Sequence, residues 1–292
     1  MESRWQEASF TSGTSGQRRP VPEPEILPPG APDPAPDYTY QQQIPQPSPA
    51  PPRSQPRTGW ASAPATYLLV AINIGVFLLM VASGVSATTP SSAQLVRWGA
   101  NFGPAVLLYD QWWRLLTATF VHVGIIHLAT NMWCLWNLGL LGEPLLGPVG
   151  LVCTYVLTGV AGNLLSVGIH PEVIGAGASG AVFGLAGVLI LLLGSPVLPV
   201  PQAEVKRLRK SVIYFAVFNF IIGGSTWLFH TSIQIDNMAH LGGFLSGIAL
   251  GLILVPRIGS RRTTFMKRQW IAYGGMFLLI LLGARFITSL LH

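Results

Sequence analysis

The chain has 292 residues, half of them hydrophobic and only 10% charged, with a net charge of +6. A soluble domain carries about a quarter charged residues, so this composition excludes an ordinary soluble globular protein and points to an all-α polytopic membrane protein. The basic residues sit in short clusters beside apolar runs, which suits lipid headgroups and membrane orientation and gives no footprint for nucleic acid.

Residues 1–64 hold 15 of the 24 prolines, with Ser, Gln, Gly and Thr between them. Such a segment cannot bury enough apolar surface to offset chain entropy, and it reads as a disordered tail. It also contains no apolar core of the length a signal peptide needs. Residues 65–255 hold six apolar spans, at 65–84, 127–141, 149–168, 179–194, 211–224 and 237–255. Between the first two lies a mixed aromatic stretch, 85–126, with Arg97, Asp110 and Arg114. Residues 256–292 form a basic loop and a seventh span at 270–290. Several spans fall short of the ~20 residues a helix needs to cross a bilayer core, so they must thin it or sit among longer neighbours.

Orientation follows from the basic segments. Arg53 and Arg57 precede the first span. Lys206, Arg207, Arg209 and Lys210 separate the fourth and fifth, and Arg257, Arg261, Arg262, Lys267 and Arg268 separate the sixth and seventh. With seven spans these all fall on one side, which the positive-inside rule makes cytoplasmic: N-terminus in, C-terminus out.

That topology starts spans two, four and six on the outer side. His127 and Asn131, four residues apart on one helix face, open span two. Ser179 opens span four, and His240 lies one turn into span six. Four such residues at one shallow depth, from three helices, are costly in a membrane unless they face a cavity or one another. Small residues show how the helices meet. Gly243, Gly247 and Gly251 continue the His240 stripe, and Gly180, Gly184 and Gly187 line span four.

Alone, Ser179 reads as a helix N-cap and His240 as an interhelical histidine. Together they suit nucleophilic catalysis, with the imidazole taking the serine proton and returning it to a leaving amine. The Ser179 backbone N–H, at a helix start with no intrahelical partner, and the side chains of His127 and Asn131 are the expected oxyanion donors. Gly177, two residues before the serine, would let backbone and substrate come close. Asp236, four residues before His240, reads as a helix cap or as a charge that tunes the imidazole.

The chain resembles the rhomboid family of intramembrane serine proteases. Gly177-Ala178-Ser179-Gly180 matches the family's GxSG motif. Ala239-His240 with Gly243 and Gly247 matches AHxxGxxxG. His122, His127 and Asn131 match HxxxxHxxxN, and Trp113-Arg114 matches the WR motif of the first loop. The resemblance covers residues 65–255. It implies a six-helix core with one extra C-terminal transmembrane helix, a Ser179–His240 dyad, and an oxyanion hole from Ser179, His127 and Asn131. It implies transmembrane protein substrates cut near the outer face of a bilayer, and a setting in the bacterial plasma membrane. His122, Trp113 and Arg114 are expected to support the loop. Phe183 departs from the tyrosine often found there, keeping the ring that stacks on the histidine and losing its hydroxyl.

Other readings fit less well. A rhomboid-like pseudoenzyme should lack the nucleophile or the base. A transporter should show broken helices in two matching halves, and no internal repeat is present. The soluble hydrolase elbow needs Gly where Ala181 stands. No H-E-x-x-H and no CxxC occurs, so neither metal nor cofactor is expected. Cys134 and Cys153 read as free thiols, Glu143 as structural, and Trp227 and Phe229 as part of a cap over the site.

Overall fold

A computed structural model describes residues 63–195, 201–228, 236–255 and 262–290. Most of the expected tail, and Phe229, lie outside these residues, as does the side chain of Trp227. The described residues form ten helices and no strand. Seven are long: α1 (Pro64–Ala82), α5 (Ile125–Leu146), α6 (Pro148–Ile169), α7 (Ser179–Leu192), α8 (Gln202–Leu228), α9 (Asn237–Leu254) and α10 (Arg262–Ser289). Of these, α1, α6, α9 and α10 are long and apolar enough to cross a membrane by length and composition. The chain is an integral membrane protein of the all-α polytopic class.

The mixed stretch resolves into three short helices, α2 (Ser92–Arg97), α3 (Gly103–Leu108) and α4 (Arg114–Thr117). Arg114 of α4 ties itself to α2 and to the segments on either side of α3. Its guanidinium donates to the Val96 and Ala100 carbonyls at 2.6 and 3.1 Å and to Gln111 Oε1 at 2.6 Å. It lies over the Trp113 ring. Arg114 is buried while Trp113 is exposed, so the arginine braces the loop from inside and only the tryptophan faces outward.

Helix α7 is the central element. Its 14 residues rise about 21 Å, too little for an average bilayer core, but Gly180 through Leu189 are all buried by neighbours. Helix α9 lies parallel to it at very close range. A methyl group at Gly243 would overlap the Gly180 carbonyl, and one at Gly247 the Gly184 carbonyl. Helix α6 runs antiparallel to both. A methyl at Gly162 would overlap the Ala239 carbonyl, and one at Gly184 the Thr158 hydroxyl. Small residues thus let three backbones touch, the van der Waals route to helix association in lipid.

The remaining helices are tied on by specific bonds. Glu143, buried near the end of α5, accepts from the Ala65 and Thr66 N–H groups at 2.9 and 2.8 Å and from the Thr66 hydroxyl at 2.7 Å. Helix α1 has no side-chain cap of its own, so Glu143 satisfies its first free donors. Arg209 of α8 donates to the Ile190 carbonyl at the end of α7. Arg268 of α10 donates to the Ile253 and Val255 carbonyls at the end of α9. Gln269 and Tyr273 of α10 reach the Leu146 and Gly150 carbonyls at 2.7 and 3.0 Å.

Several helices outrun their expected spans. Helix α5 continues from 141 to Leu146 through Glu143 and Pro144, α8 begins at Gln202 where 211 was expected, and α10 begins at Arg262 where 270 was expected. Hydropathy marks where lipid touches a helix, and the charged turns beyond are still helical.

Candidate active site

The site is assembled at the end of the molecule where α7 and α9 begin. The chain enters α7 through an extended segment anchored on both sides. Asn101 and Gly175 pair across an antiparallel bridge, and the Gly177 N–H donates to the Ala118 carbonyl at 2.9 Å. Gly177 then takes φ +133, a conformation that residues with a side chain rarely adopt. Ala178 is the N-cap and makes no side-chain cap bond. Ser179 is the first helical residue, so its hydroxyl is not the cap that its sequence position suggests.

That hydroxyl meets α9. Ser179 Oγ lies 2.8 Å from His240 Nε2, well within the range for an O–H donating to a ring nitrogen. Phe183, one turn into α7, stacks on the His240 ring with centroids 4.4 Å apart and planes at 24°. The stacking ring is thus present without a phenol. His240 Nδ1 is buried and has no hydrogen-bond partner among the described residues. Asp236 does not supply one. It caps α9, accepting from the Ala239 N–H at 2.9 Å, and its other oxygen accepts from the Ser166 hydroxyl at 2.6 Å.

Three further residues approach the start of α7 from α5 and the turn before it. His127 Nδ1 accepts from the Val123 N–H at 3.3 Å, which leaves the proton of the neutral ring on Nε2. That nitrogen would lie 3.0 Å from a methyl group placed on Gly177, and the Asn131 amide nitrogen would lie 3.5 Å from it. Asn131 spends one N–H on the His127 carbonyl at 3.1 Å, and its other N–H meets no acceptor among the described residues. His122 sits deeper. Its Nδ1 donates to the Phe120 carbonyl at 3.1 Å and its Nε2 accepts from the Ala178 N–H at 3.4 Å. It holds the loop and the residue before Ser179, and reaches neither Ser179 nor His240 by any bond described.

The structure therefore gathers Ser179, His240, His127, Asn131 and Gly177 at one end of the bundle. It places Gly243 and Gly247 at the α7–α9 contact, Trp113 and Arg114 in the loop, and His122 beneath the serine. Among the described residues no group of three His, Cys, Asp or Glu is placed to hold a metal ion, and both cysteines are free thiols. Sequence reasoning missed two rings of α8, Phe215 and Phe220. They lie 6.0 and 4.5 Å from Phe183, and only the packing of α8 brings them there.

Comparison with known proteins follows the same lines. A family model described as the Rhomboid domain matches residues 109–257. Rhomboid protease GluP of Bacillus subtilis is 33% identical over 216 residues, covering 73% of this chain and 40% of that protein. RHOMBOID-like protein 6, mitochondrial, of Arabidopsis thaliana is 34% identical over 166 residues, covering 57% of this chain and 51% of that one. Rhomboid-like protease 3 of Toxoplasma gondii is 31% identical over 186 residues, covering 62% of this chain and 67% of that one. The chain spans about half, or less, of the length of the first two of these relatives.

Proposed function

The chain belongs to the rhomboid family, and on that premise we propose that it is an intramembrane serine endopeptidase acting through a Ser179–His240 dyad. The observation that carries this reading is the 2.8 Å approach of Ser179 Oγ to His240 Nε2 across two different helices. The names of two of the relatives just cited, each a rhomboid protease, support the reaction class.

The steps follow from the atoms present. His240 Nε2 takes the Ser179 proton as Oγ attacks the scissile carbonyl carbon. The carbonyl oxygen becomes an oxyanion. The Ser179 N–H in the first turn of α7, His127 Nε2–H and the free N–H of Asn131 are the donors that stabilise it. Collapse breaks the C–N bond, and His240 gives its proton to the departing amine. A water then loses a proton to His240 as its oxygen attacks the ester carbon; the C–Oγ bond breaks, His240 returns the proton to Oγ, and the new carboxylic acid leaves. A dyad without a carboxylate has precedent among triad variants, and Asp236 is committed elsewhere.

The substrate class is the transmembrane segment of another membrane protein, entering from the bilayer and cut near the face where α7 and α9 begin. The basic residues at the opposite end of α7 make that end cytoplasmic. The setting we propose is the bacterial plasma membrane. A bacterial relative matching most of the chain favours it, and a relative named mitochondrial weighs against it.

The test is cleavage of a panel of single-pass transmembrane substrates by the purified protein. Ser179→Ala and His240→Ala should each abolish cleavage. Activity surviving in Ser179→Ala would overturn the mechanism, and no cleavage by the wild type across the panel would favour a pseudoenzyme.

A further inference from the structure

A general base held by one hydrogen bond needs something else to fix its ring. His240 has only the Ser179 contact through Nε2, while its Nδ1 is buried without a partner among the described residues. The nearby carboxylate, Asp236, is spent on Ala239 and Ser166. The orientation of the imidazole therefore rests on packing.

Two rings supply that packing, and they come from different helices. Phe183 of α7 covers one face of the imidazole. Phe220 of α8 stands edge-on to it, with centroids 6.4 Å apart and planes at 76°. Phe220 is also 4.5 Å from Phe183, and it meets Phe244 edge-on at 5.8 Å and 89°. His240 and Phe244 are one turn apart on α9, so they share a face. Phe220 seats between them and closes against Phe183. The phenyl–phenyl separations fall in the range where aromatic pairs attract through their quadrupoles. Phe215, five residues earlier on α8, brings its ring centroid to 6.0 Å from that of Phe183.

We propose that Phe220 is a positioning residue for the reaction, which clamps the His240 ring and its stacking partner Phe183 in the geometry that accepts the Ser179 proton. It acts through His240 and does not touch the reacting atoms. The proposal rests on the reading of Ser179 and His240 as a catalytic dyad. Without the clamp the imidazole can rotate about its side-chain bonds and lose alignment, and displacements of about 1 Å can cost up to roughly 100-fold in rate. Substrate affinity, set elsewhere, should not change.

The experiment uses the full chain in detergent micelles, with thermal melts to check folding. Wild type is compared with Phe220→Ala, Phe220→Leu, Phe220→Tyr and Phe218→Ala. Phe218 is an exposed phenyl on the same helix and controls for truncation of any α8 ring. Two rates are read: kcat and KM on a transmembrane substrate, and labelling by a small fluorophosphonate, which needs an activated serine but no substrate helix. Phe220→Ala and Phe220→Leu should lower kcat by about tenfold or more, leave KM within about twofold, and slow labelling by a similar factor. Phe220→Tyr, which keeps the ring, should retain most of the rate, and Phe218→Ala should match wild type. If the alanine variant does not fold, the leucine–tyrosine contrast decides, because leucine fills the space without a ring. Equal rates for those two, a kcat unchanged or raised by Phe220→Ala, a loss confined to KM, or an equal loss in Phe218→Ala would each overturn the proposal. Cleavage by Ser179→Ala would instead overturn the dyad reading itself. An inactive Ser179→Ala beside a fully active Phe220→Leu would overturn the clamp alone.

Discussion

At Gly177 one methyl group decides whether there is room for chemistry. A Cβ there would lie 2.6 Å from His127 Cε1 and 3.0 Å from its Nε2, and the backbone φ of +133 is strained for any side chain. Gly177→Ala should therefore lower cleavage by up to about 100-fold, the cost that a 1 Å displacement can carry, while the inner ends of α7 and α9 stay folded. Cleavage rate and a thermal melt measured together would show this. His127→Ala and Asn131→Ala test the donors separately. Removal of one oxyanion donor typically costs about 10²–10³ in kcat, so each variant should fall in kcat with little change in KM. A pure KM effect in either would assign that residue to substrate binding. Much of this was legible in the residues alone. The helical spacing of His127 and Asn131, and the glycines around Ser179, depend only on local geometry. That His240 Nδ1 has no partner among the described residues, and that Asp236 is committed to Ser166, were not legible, because both depend on which side chains the neighbouring helices turn toward α9.

At the scale of elements, the glycine contacts and the capping bonds make separable predictions. Gly247→Ala places a methyl on the Gly184 carbonyl, backbone against backbone, where neither side can yield without the helices parting. Overpacking of this kind typically costs about 1–3 kcal/mol. It should also move His240 away from Ser179, so melting temperature and activity should fall together. Gly275→Ala on α10, where nothing lies within 4 Å, should leave both unchanged, and equal damage from the two would refute the close-contact account. Glu143→Ala strands the buried N–H groups of Ala65 and Thr66 at the start of α1. Each unsatisfied buried donor costs about 1–3 kcal/mol, so stability should drop while kcat of the folded fraction holds. Span positions were visible in the hydrophobic pattern, and the start of α7 at Ser179 was read to the residue. The order within 85–126 was hidden, because it comes from long-range bonds such as Arg114 to Val96 and Asn163 to Leu115. The charged first turns of α8 and α10 were hidden for another reason, since composition there reports water and the backbone remains helical.

At the scale of the whole molecule, the orientation proposed above and the caps of α7 and α9 rest on the same residues. Ser179 and His240 stand at the starts of α7 and α9, and the opposite ends of those helices are held by Arg209 and Arg268. These arginines satisfy terminal carbonyls and complement the negative end of each helix dipole. They also belong to the basic segments that the positive-inside rule retains in the cytoplasm. One set of residues thus caps the helices that carry Ser179 and His240 and, on the proposed orientation, would hold those ends in the cytoplasm. On the orientation proposed above, with seven crossings, the end of α10 is expected on the outer side. A fusion of alkaline phosphatase after residue 292 should be active in bacterial cells and a green fluorescent protein fusion there should stay dark. Fusions at the N-terminus should give the reverse. Replacing Lys206, Arg207, Lys210 and Lys267 by glutamine, with Arg209 and Arg268 left in place, should weaken this preference while the helix caps persist. Fluorescence from the C-terminal fusion of the unmodified chain would mean that α10 does not cross, and would reduce the molecule to its six core helices.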